Sequence, residues 1–258
     1  MVEWRIFHKD VTSSTNDDAA KGSHGDVFTA GFQTAGRGRG DHVWEGEKNA
    51  ALMMSAVLAT GGCSPAYVAT FPLVAGLATM EGLRRLAGPA LLLDIGIKWP
   101  NDVLCGGRKV AGLLCRREDE RIVVGIGVNV KQKSFPKAIA GRAVSLAMLG
   151  VDASIEDARE SILEALSPLY GEWLRAGASG GAELPRAIME RLAAADLLEG
   201  RRISVVGTDV ERRIVEGVAG GISPDGALVV DGEKIYSGEA VELLSKYTAD
   251  ASKFSSPR

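Results

Sequence analysis

The chain has 258 residues and a formal net charge of −3, with 46% hydrophobic and 24% charged residues. This balance is typical of a globular protein with a sizeable core and excludes a disordered chain. The acidic balance argues against a general nucleic-acid binder, which would carry a clustered positive excess. Three cysteines and three histidines, with no Cys-x-x-Cys pair, predict neither a disulfide framework nor a structural zinc site.

The N-terminus predicts no signal peptide, because charged residues interrupt its first ten positions. The longest apolar stretches end within about a dozen residues, short of the ~20 that span a bilayer. Together with cysteines expected to stay reduced, these features predict a cytoplasmic protein without a membrane partner.

The first part of the chain predicts a sheet with four helices, one of them short. The hydroxyls of Ser13, Ser14 and Thr15 are expected to cap a short helix, Ser64-Pro65 to open a longer one, and Gly106-Gly107 to form a hairpin turn. The apolar stretch 50–59 predicts a strand buried on both faces. Further helices are expected at 155–174 and 184–197, and the remaining strands at 2–7, 27–32, 95–99, 103–105, 110–115 and 122–130.

At Gly200 the pattern changes to short β-type stretches separated by turn signals. They predict a small all-β barrel. We therefore expect a first domain at 1–198, a barrel at 199–245 and a disordered tail at 246–258.

Two segments carry residues suited to anionic ligands. In Gly36-Arg-Gly-Arg-Gly40, glycines allow close approach of the backbone and arginines bind phosphate or carboxylate. On pattern alone, a flexible turn is an equally good interpretation. In Lys98-Trp-Pro-Asn-Asp102, a lysine, an amide and a carboxylate lie together, suited to a nucleotide and its metal; the alternative is an ordinary turn with a salt bridge.

Three weaker signals have structural alternatives. Lys109 enters an apolar strand, either as an edge charge or as a buried cation for an anionic ligand. The glycines in Gly125-Ile-Gly-Val-Asn129 indicate either close approach of a ligand or packing under a helix. Ser14, Thr15 and Asn16 fit plain helix capping when taken alone.

In this order and spacing, the segments resemble the biotin protein ligase family. The matching stretches are Ser14-Thr-Asn16, Gln33-Thr-Ala-Gly-Arg-Gly-Arg39, Trp44, Lys98-Trp-Pro-Asn-Asp102, Lys109-Val-Ala-Gly112, Gly125-Ile-Gly-Val-Asn129, 217–228 and Ser237-Gly-Glu239. The resemblance covers residues 4–244 and implies an α+β fold: a mixed-sheet catalytic domain of the biotin/lipoate ligase type with helices on one face, plus a C-terminal SH3-like barrel.

Family members make biotinyl-5′-AMP from biotin and ATP, then pass biotin to a lysine of a carrier domain. The resemblance places Ser14, Thr15 and Gln33 at the ureido ring of biotin, with Asn16, Gly36 and Gly112 in the same ligand-facing segments. Arg37, Gly38 and Arg39 resemble a loop that closes over the biotin carboxylate and the phosphates.

For the nucleotide, the resemblance places Trp44 and Asn101 near the adenine and Asn129 on the nucleotide side. Lys98 and Asp102 resemble groups at the triphosphate and Mg²⁺, and Lys109 a lysine that contacts biotin and the acyl-adenylate. Lys109, Arg37, Arg39 and Asp102 are thus the predicted catalytic residues, with Asp102 as the metal ligand and as the candidate base for the acceptor lysine.

Two features bear on regulation. The stretch 40–49 is less basic than is usual in the family, which bears on loop ordering and retention of the intermediate. Trp4 already lies near the predicted start of the catalytic domain, so we expect a short form without an N-terminal DNA-binding domain, hence no DNA partner. The resemblance also implies a homodimer and, as protein substrate, a carrier domain of acetyl-CoA carboxylase or of another biotin-dependent carboxylase.

Two alternatives remain. A lipoate or octanoate ligase shares the catalytic fold, although the Gly-Arg-Gly-Arg and Lys-Trp-Pro-Asn-Asp stretches fit biotin better. A non-catalytic ligand sensor or RNA-binding module is the other; against RNA, acids offset the arginines of the barrel and no series of exposed aromatic residues is evident.

Overall fold

The computed structural model describes residues 1–40, 42–44, 46–88, 95–207 and 213–243. Seven strands form one mixed sheet in the order β1-β2-β3-β7-β6-β5-β4, in which β1 and β2 pair in parallel and the other neighbours antiparallel. The strands are Arg5–Lys9 (β1), Asp26–Ala30 (β2), Ala51–Ala59 (β3), Ile95–Lys98 (β4), Asp102–Cys105 (β5), Arg108–Glu118 (β6) and Arg121–Asn129 (β7).

The long helices cover one face of this sheet, as predicted. The helices are Thr15–Ala19 (α1), Pro65–Val68 (α2), Phe71–Ala87 (α3), Ile155–Ala178 (α4) and Arg186–Ala195 (α5). Alternate residues of β3, including Leu52 and Met54, join the main core on the α3–α4 side. On the opposite face Ala19 of α1 packs with Val57 and Val123, so β3 is buried on both faces, which confirms the expectation for 50–59.

The single helix expected after Ser64 is wrong: the structure has α2 and α3 with a break at Ala69–Thr70. Pro72 lies in the first turn of α3 and has no N–H for a helical hydrogen bond to Val68. Thr70 Oγ1 donates instead to the carbonyl of Tyr67 at 2.7 Å. Among the described residues, Pro65–Ala87 is the one helical stretch long and apolar enough to cross a membrane, but it is mostly buried in the fold, as a core helix is.

A second, five-stranded sheet has the order β11-β10-β9-β8-β12 and is consistent with the predicted SH3-like barrel. Its strands are Arg202–Val206 (β8), Ile214–Ile222 (β9), Leu228–Val230 (β10), Glu233–Ile235 (β11) and Glu239–Glu242 (β12). The sequence did not predict β12, and the expected tail at 246–258 lies outside the described residues.

The second sheet contacts the first through the turn at 223–226. Trp99, which is 2% exposed, donates its indole N–H to the carbonyl of Gly226 at 3.1 Å. The amide of Leu184 donates to the carbonyl of Pro224 at 2.7 Å. Because Trp99 lies between β4 and β5, this turn is attached to the same strands that carry Lys98 and Asp102.

Candidate active site

A buried polar network connects α1 to the neighbouring strands. The side-chain carbonyl of Gln33 accepts hydrogen bonds from the backbone N–H of Thr15 at 2.7 Å and from its hydroxyl at 3.1 Å. Ser55 of β3 donates to the Thr15 hydroxyl at 2.8 Å. Gln33 therefore satisfies the first N–H of α1, and the network fixes both side chains at one edge of the candidate site, which we call the pocket.

Ser14 and Asn16 flank this network. Ser14 is the N-cap residue of α1 and Asp17 and Asp18 lie in the first turn, which confirms the expected helix start, but the Ser14 hydroxyl makes no capping hydrogen bond. Ser14 Oγ and Asn16 Oδ1 are buried without a hydrogen-bond partner in the described part of the chain, although the residues are only 1% and 6% exposed. Buried polar atoms are normally satisfied, so these two atoms point to a ligand with donors of its own.

Gly112, Gly125 and Gly127 lie on the strands next to these groups, and we call them the glycine floor. Register places Ser55 opposite Gly125, Gly127 opposite Gly112, and Gly112 opposite Asp102, so the pocket crosses four strands. A Cβ at Gly125 would overlap the Asn16 amide, and one at Gly127 would overlap the Trp44 indole. Packing under a helix therefore accounts for Gly125, which lies under Asn16 of α1, whereas Gly127 makes room for the Trp44 indole.

Trp44 covers the floor. Its indole contacts the backbone at Gly127 and Gly112, and the indole N–H is buried without a partner among the described residues. The Lys109 ammonium lies 5.8 Å from the ring centroid. Trp44 therefore forms an apolar wall between the glycine floor and a cation.

Lys109 and Asp102 form an ion pair at the end of the floor. Lys109 Nζ lies 2.6 Å from Asp102 Oδ1, with the two side chains 36% and 22% exposed. Lys109 is thus not an exposed charge at the edge of the sheet. Its position favours the other interpretation, a cation placed for an anionic ligand.

The remaining predicted residues surround this pair. Asn129 donates its amide to the carbonyl of Lys109 at 3.3 Å and to that of Val144 at 3.1 Å. Asn101 donates to the carbonyl of Leu113 at 2.6 Å, which fixes the turn between β4 and β5. Lys98 is opposite Asp102 in the register of β4 and β5.

The glycine–arginine loop folds back across the site. Gly36 accepts a hydrogen bond from the amide of Trp44 at 3.1 Å, and Gly38 donates one to the carbonyl of His42 at 2.7 Å. A Cβ at Gly36 would overlap the carbonyl of Trp44, so this return needs glycine. The loop thereby presents Trp44 to the floor.

The two arginines of the loop have different partners. Arg37 donates to Asp17 of α1 at 2.9 Å. Arg39 donates to the carbonyl of Gly238, before β12, at 3.1 Å. Burial lowers the pKa of Arg39, while the nearby carboxylates of Asp102 and Glu239 raise it in part. Arg39 therefore lies among the first sheet, the second sheet and the Asp102–Lys109 pair.

The structure thus brings the predicted residues into one region, and it adds others that sequence reasoning missed. Ser55 completes the hydroxyl network, and Asp17 anchors Arg37. Gln132 is 2% exposed and donates to Asn129 Oδ1 at 3.3 Å. No local signal marks Ser55 or Gln132; only pairing across strands and loops places them here.

Known proteins resemble this chain in sequence and in fold. A family model described as the biotin/lipoate A/B protein ligase family matches residues 9–133. The biotin–[acetyl-CoA-carboxylase] ligase of Paracoccus denitrificans is 32% identical over 232 residues, which cover 86% of this chain and 92% of that protein.

Other relatives match over a smaller part. The bifunctional ligase/repressor BirA of Bacillus spizizenii is 33% identical over 153 residues, covering 55% of this chain and 46% of that protein. The biotin–[acetyl-CoA-carboxylase] ligase of Mycobacterium tuberculosis is 37% identical over 150 residues, covering 55% of this chain and 54% of that protein. The chain thus spans about half the length of these two relatives.

Solved structures share the fold. The crystal structure of biotin protein ligase from Aquifex aeolicus superimposes with a TM-score of 0.75 at 21% identity, covering 94% of this chain and 100% of that one. A structure of the same enzyme in complex with biotin and ATP has a TM-score of 0.75 at 24% identity, covering 92% and 97%. Together with the match to the Paracoccus ligase over nearly its full length, these findings show that the chain belongs to the biotin protein ligase family.

Proposed function

We propose that this protein activates biotin as biotinyl-5′-AMP with ATP and transfers the biotin to a specific lysine of a biotin carboxyl carrier domain, in acetyl-CoA carboxylase or another biotin-dependent carboxylase. One observation carries the proposal: a buried set of uncharged polar groups adjoins a glycine floor that ends at the Lys109–Asp102 pair. A ligand with a neutral ring at one end and a charged group at the other fits this order of polar, apolar and charged surroundings.

The polar end of the pocket suits the ureido ring. Ser14 Oγ and Asn16 Oδ1 are buried and unpartnered, while Thr15 and Gln33 are held by their own hydrogen bonds. A neutral ring with both donors and an acceptor can satisfy such groups without the cost of burying a charge. The Trp44 indole, which lies on the glycine floor, then borders the apolar part of biotin on one side and the nucleotide on the other.

The cationic end suits the carboxylate of biotin and the phosphates of ATP. Lys109 lies at the end of the floor, Lys98 lies two strands away and opposite Asp102 in register, and Arg39 lies near Asp102. We assign Asn101, Asn129 and Trp44 to the nucleotide side. Gly36 and Gly38 let the loop fold back, and Gly112 makes room for Lys109 and Trp44, so these glycines act by positioning the groups that would bind both ligands.

Mg²⁺ is the expected cofactor of the nucleotide. The described residues contain no group of three or more His, Cys, Asp or Glu side chains that would form an all-protein cage. A single carboxylate at Asp102 fits the ordinary binding of Mg²⁺, which uses one or two carboxylates plus phosphate oxygens. When bound, Mg²⁺ would neutralise phosphate charge.

In the first step, a carboxylate oxygen of biotin attacks the α-phosphorus of ATP, the bond to the β-phosphate oxygen breaks, and pyrophosphate leaves. Two anions must meet, so the main requirement is positive charge at fixed positions. Lys109, Arg37 and Arg39 supply it without a protein nucleophile.

In the second step, the neutral amine of the carrier lysine attacks the acyl carbon of the mixed anhydride. The bond from carbonyl carbon to phosphate oxygen breaks, AMP leaves, and the nitrogen loses a proton. Asp102 is the candidate acceptor of that proton, since its carboxylate adjoins Lys109. The loop that carries Arg39 excludes water, which would hydrolyse the anhydride.

We also propose a cytoplasmic location and a homodimer, and we propose no DNA or membrane partner. ATP and carboxylases are available in the cytoplasm, where thiols stay reduced. Burial raises the pKa of the Cys115 thiol to about 12, so this thiol stays protonated at neutral pH.

The test is a substrate comparison. The protein is incubated with ATP, MgCl₂ and either biotin or lipoate, with and without a purified biotin carboxyl carrier domain. We expect pyrophosphate release and carrier labelling with biotin only. Labelling by lipoate alone would assign the protein to lipoate ligation. Biotin binding without pyrophosphate release would indicate a non-catalytic module.

A further inference from the structure

A positively charged segment follows β7 directly. Residues 131–142 contain four basic side chains and no acidic one: Lys131, Lys133, Lys137 and Arg142. The segment contributes +4 to a chain whose formal net charge is −3, so the other residues carry −7. So uneven a distribution points to a local role for the positive charge.

Backbone hydrogen bonds fix this segment beside the candidate site. The amide of Lys109 donates to the carbonyl of Arg142 at 2.7 Å, and the amide of Val144 donates to the carbonyl of Lys109 at 3.0 Å. At its other end, the amide of Lys131 donates to the carbonyl of Ala50 at 2.7 Å. The segment is therefore held to the strand that carries Lys109.

The segment is also locally ordered. The amides of Ile139 and Ala140 both donate to the carbonyl of Pro136 at 2.9 Å. The guanidinium of Arg142 donates to the carbonyl of Ala138 at 3.1 Å. Lys137 and Arg142 thus belong to one compact turn, and Lys133, Lys137 and Arg142 are all exposed.

Most of these cations, and Arg108 at the start of β6, form no ion pair with the described residues. No ion pair in the described ranges includes Arg108, Lys133, Lys137 or Arg142. Lys131 differs, because its charge is close enough to Asp157 of α4 to affect that carboxyl. The hydrogen bonds from Ser154 lower the pKa of Asp157 most, and Lys131 adds a smaller decrease. We call Arg108, Lys133, Lys137 and Arg142 the basic rim.

We propose that the basic rim binds an acidic face of the protein acceptor and orients it so that its lysine reaches the Lys109–Asp102 pair. The inference rests on the proposed function and specifies how its second substrate is recognised. Small substrates enter the pocket, whereas a folded acceptor must stay outside and contact what surrounds the entrance. Charges exposed around the entrance act mainly on encounter and orientation.

The test separates the two half-reactions. The triple variant Lys133→Glu, Lys137→Glu, Arg142→Glu is compared with the unmodified protein, using a purified biotin carboxyl carrier domain of net negative charge. We expect kcat/KM for the carrier to fall about tenfold or more at low ionic strength, with the difference shrinking as salt rises. Biotin-dependent exchange of pyrophosphate into ATP should be unchanged.

The matched control carries the same change in charge elsewhere. Lys21, Arg175 and Arg202 are exposed and belong to no ion pair of the described residues, so their triple glutamate variant alters net charge equally. It should lower kcat/KM for the carrier less than threefold. A milder rim variant, Lys133→Gln, Lys137→Gln, Arg142→Gln, guards against misfolding and should give an intermediate loss.

Each other outcome overturns the inference in a recognisable way. If carrier kinetics match those of the unmodified protein, the rim has no role in acceptor binding. If the rim variants lose pyrophosphate exchange equally, the cations serve the nucleotide instead. If the unmodified protein binds a DNA or RNA duplex through the rim while carrier transfer is unaffected, the partner is a nucleic acid. Failure of exchange in the unmodified protein would overturn the proposed function itself.

Discussion

The ammonium of Lys109 lies 2.6 Å from the carboxylate of Asp102 because a β-bulge redirects the Lys109 side chain. Val103 is opposite Ala111, whereas Leu104 is opposite Lys109, which leaves Val110 as an extra residue in β6. Val110 is fully buried in the core. Regular alternation from Gly112 would turn Lys109 toward the helices, so the bulge is what brings this cation to the pocket.

The Lys109→Ala variant should lose most of the activation step. Without the ammonium, the negative charges of the biotin carboxylate and the ATP phosphates are less neutralised when they approach each other. We expect biotinyl-AMP formation to slow by about 10²-fold or more. The measurement is single-turnover formation of the adenylate. The control is the Lys21→Ala variant, which removes an exposed lysine and should change the rate by less than twofold. A Lys109→Ala variant as fast as that control would contradict the assignment.

Gly127→Ala should weaken biotin binding. The new methyl group would overlap the Trp44 indole and displace the wall of the pocket, so we expect Kd for biotin to rise at least tenfold by calorimetry. The control is Gly171→Ala in α4, where an added Cβ meets no atom within 4 Å. That variant should raise the free energy of unfolding by about 0.5–1 kcal/mol and leave Kd unchanged. Equal Kd values for both variants would refute the model of the floor.

Arg39→Gly should loosen retention of the intermediate. The guanidinium attaches the loop to Gly238, and without it the loop opens more readily over the mixed anhydride. We expect adenylation to continue and free biotinyl-AMP in solution to rise by about tenfold in turnover without a carrier. A variant that releases no more free adenylate than the unmodified protein would show that Arg39 does not close the site.

Asp196 should impose a pH-dependent cost on stability. Burial raises its pKa, the amide of Leu198 partly opposes the shift, and Glu199 adds to it. The folded state therefore binds the proton more tightly, and stability falls as pH rises above the ordinary carboxyl pKa of about 3.9.

The Asp196→Asn variant checks that sign. Its side-chain carbonyl can still accept the hydrogen bond from Leu198, which measures 2.9 Å, but it carries no charge. We expect a higher Tm than the unmodified protein at pH 7 and no difference near pH 3. Asp196→Ala, which loses the acceptor, should be less stable than Asp196→Asn at both values. Stabilisation that is equal at pH 3 and pH 7 would exclude ionisation as the cause.

Much of the architecture could be predicted because local patterns determine it. The glycines at 106 and 107 both adopt positive φ in the hairpin between β5 and β6, as the turn signal predicts. The continuous apolar pattern of β3 follows from burial on both faces. The break before α3 was missed because the apolar spacing continues across it, although Pro72 was a usable signal.

The site was only partly predictable, for a physical reason. Residue types with ligand chemistry are visible in the sequence, but their partners come from pairing across the sheet. Ser14 is the N-cap of α1 by position, but the side chain that accepts from an N–H at this helix end is that of Gln33, which binds the amide of Thr15, eighteen residues earlier. Gly238 and Glu239 lie at the start of β12, a strand that the spacing of the turn signals did not predict.

The contact between Arg39 and Gly238 joins residues 199 positions apart in sequence. Contacts this distant form late, because the intervening chain must be ordered before its ends can meet. During synthesis residues 14–129, which carry the proposed biotin pocket, emerge well before Gly238, which accepts the hydrogen bond from Arg39. A nascent chain would therefore acquire its binding pocket first and its means of keeping a reactive intermediate last.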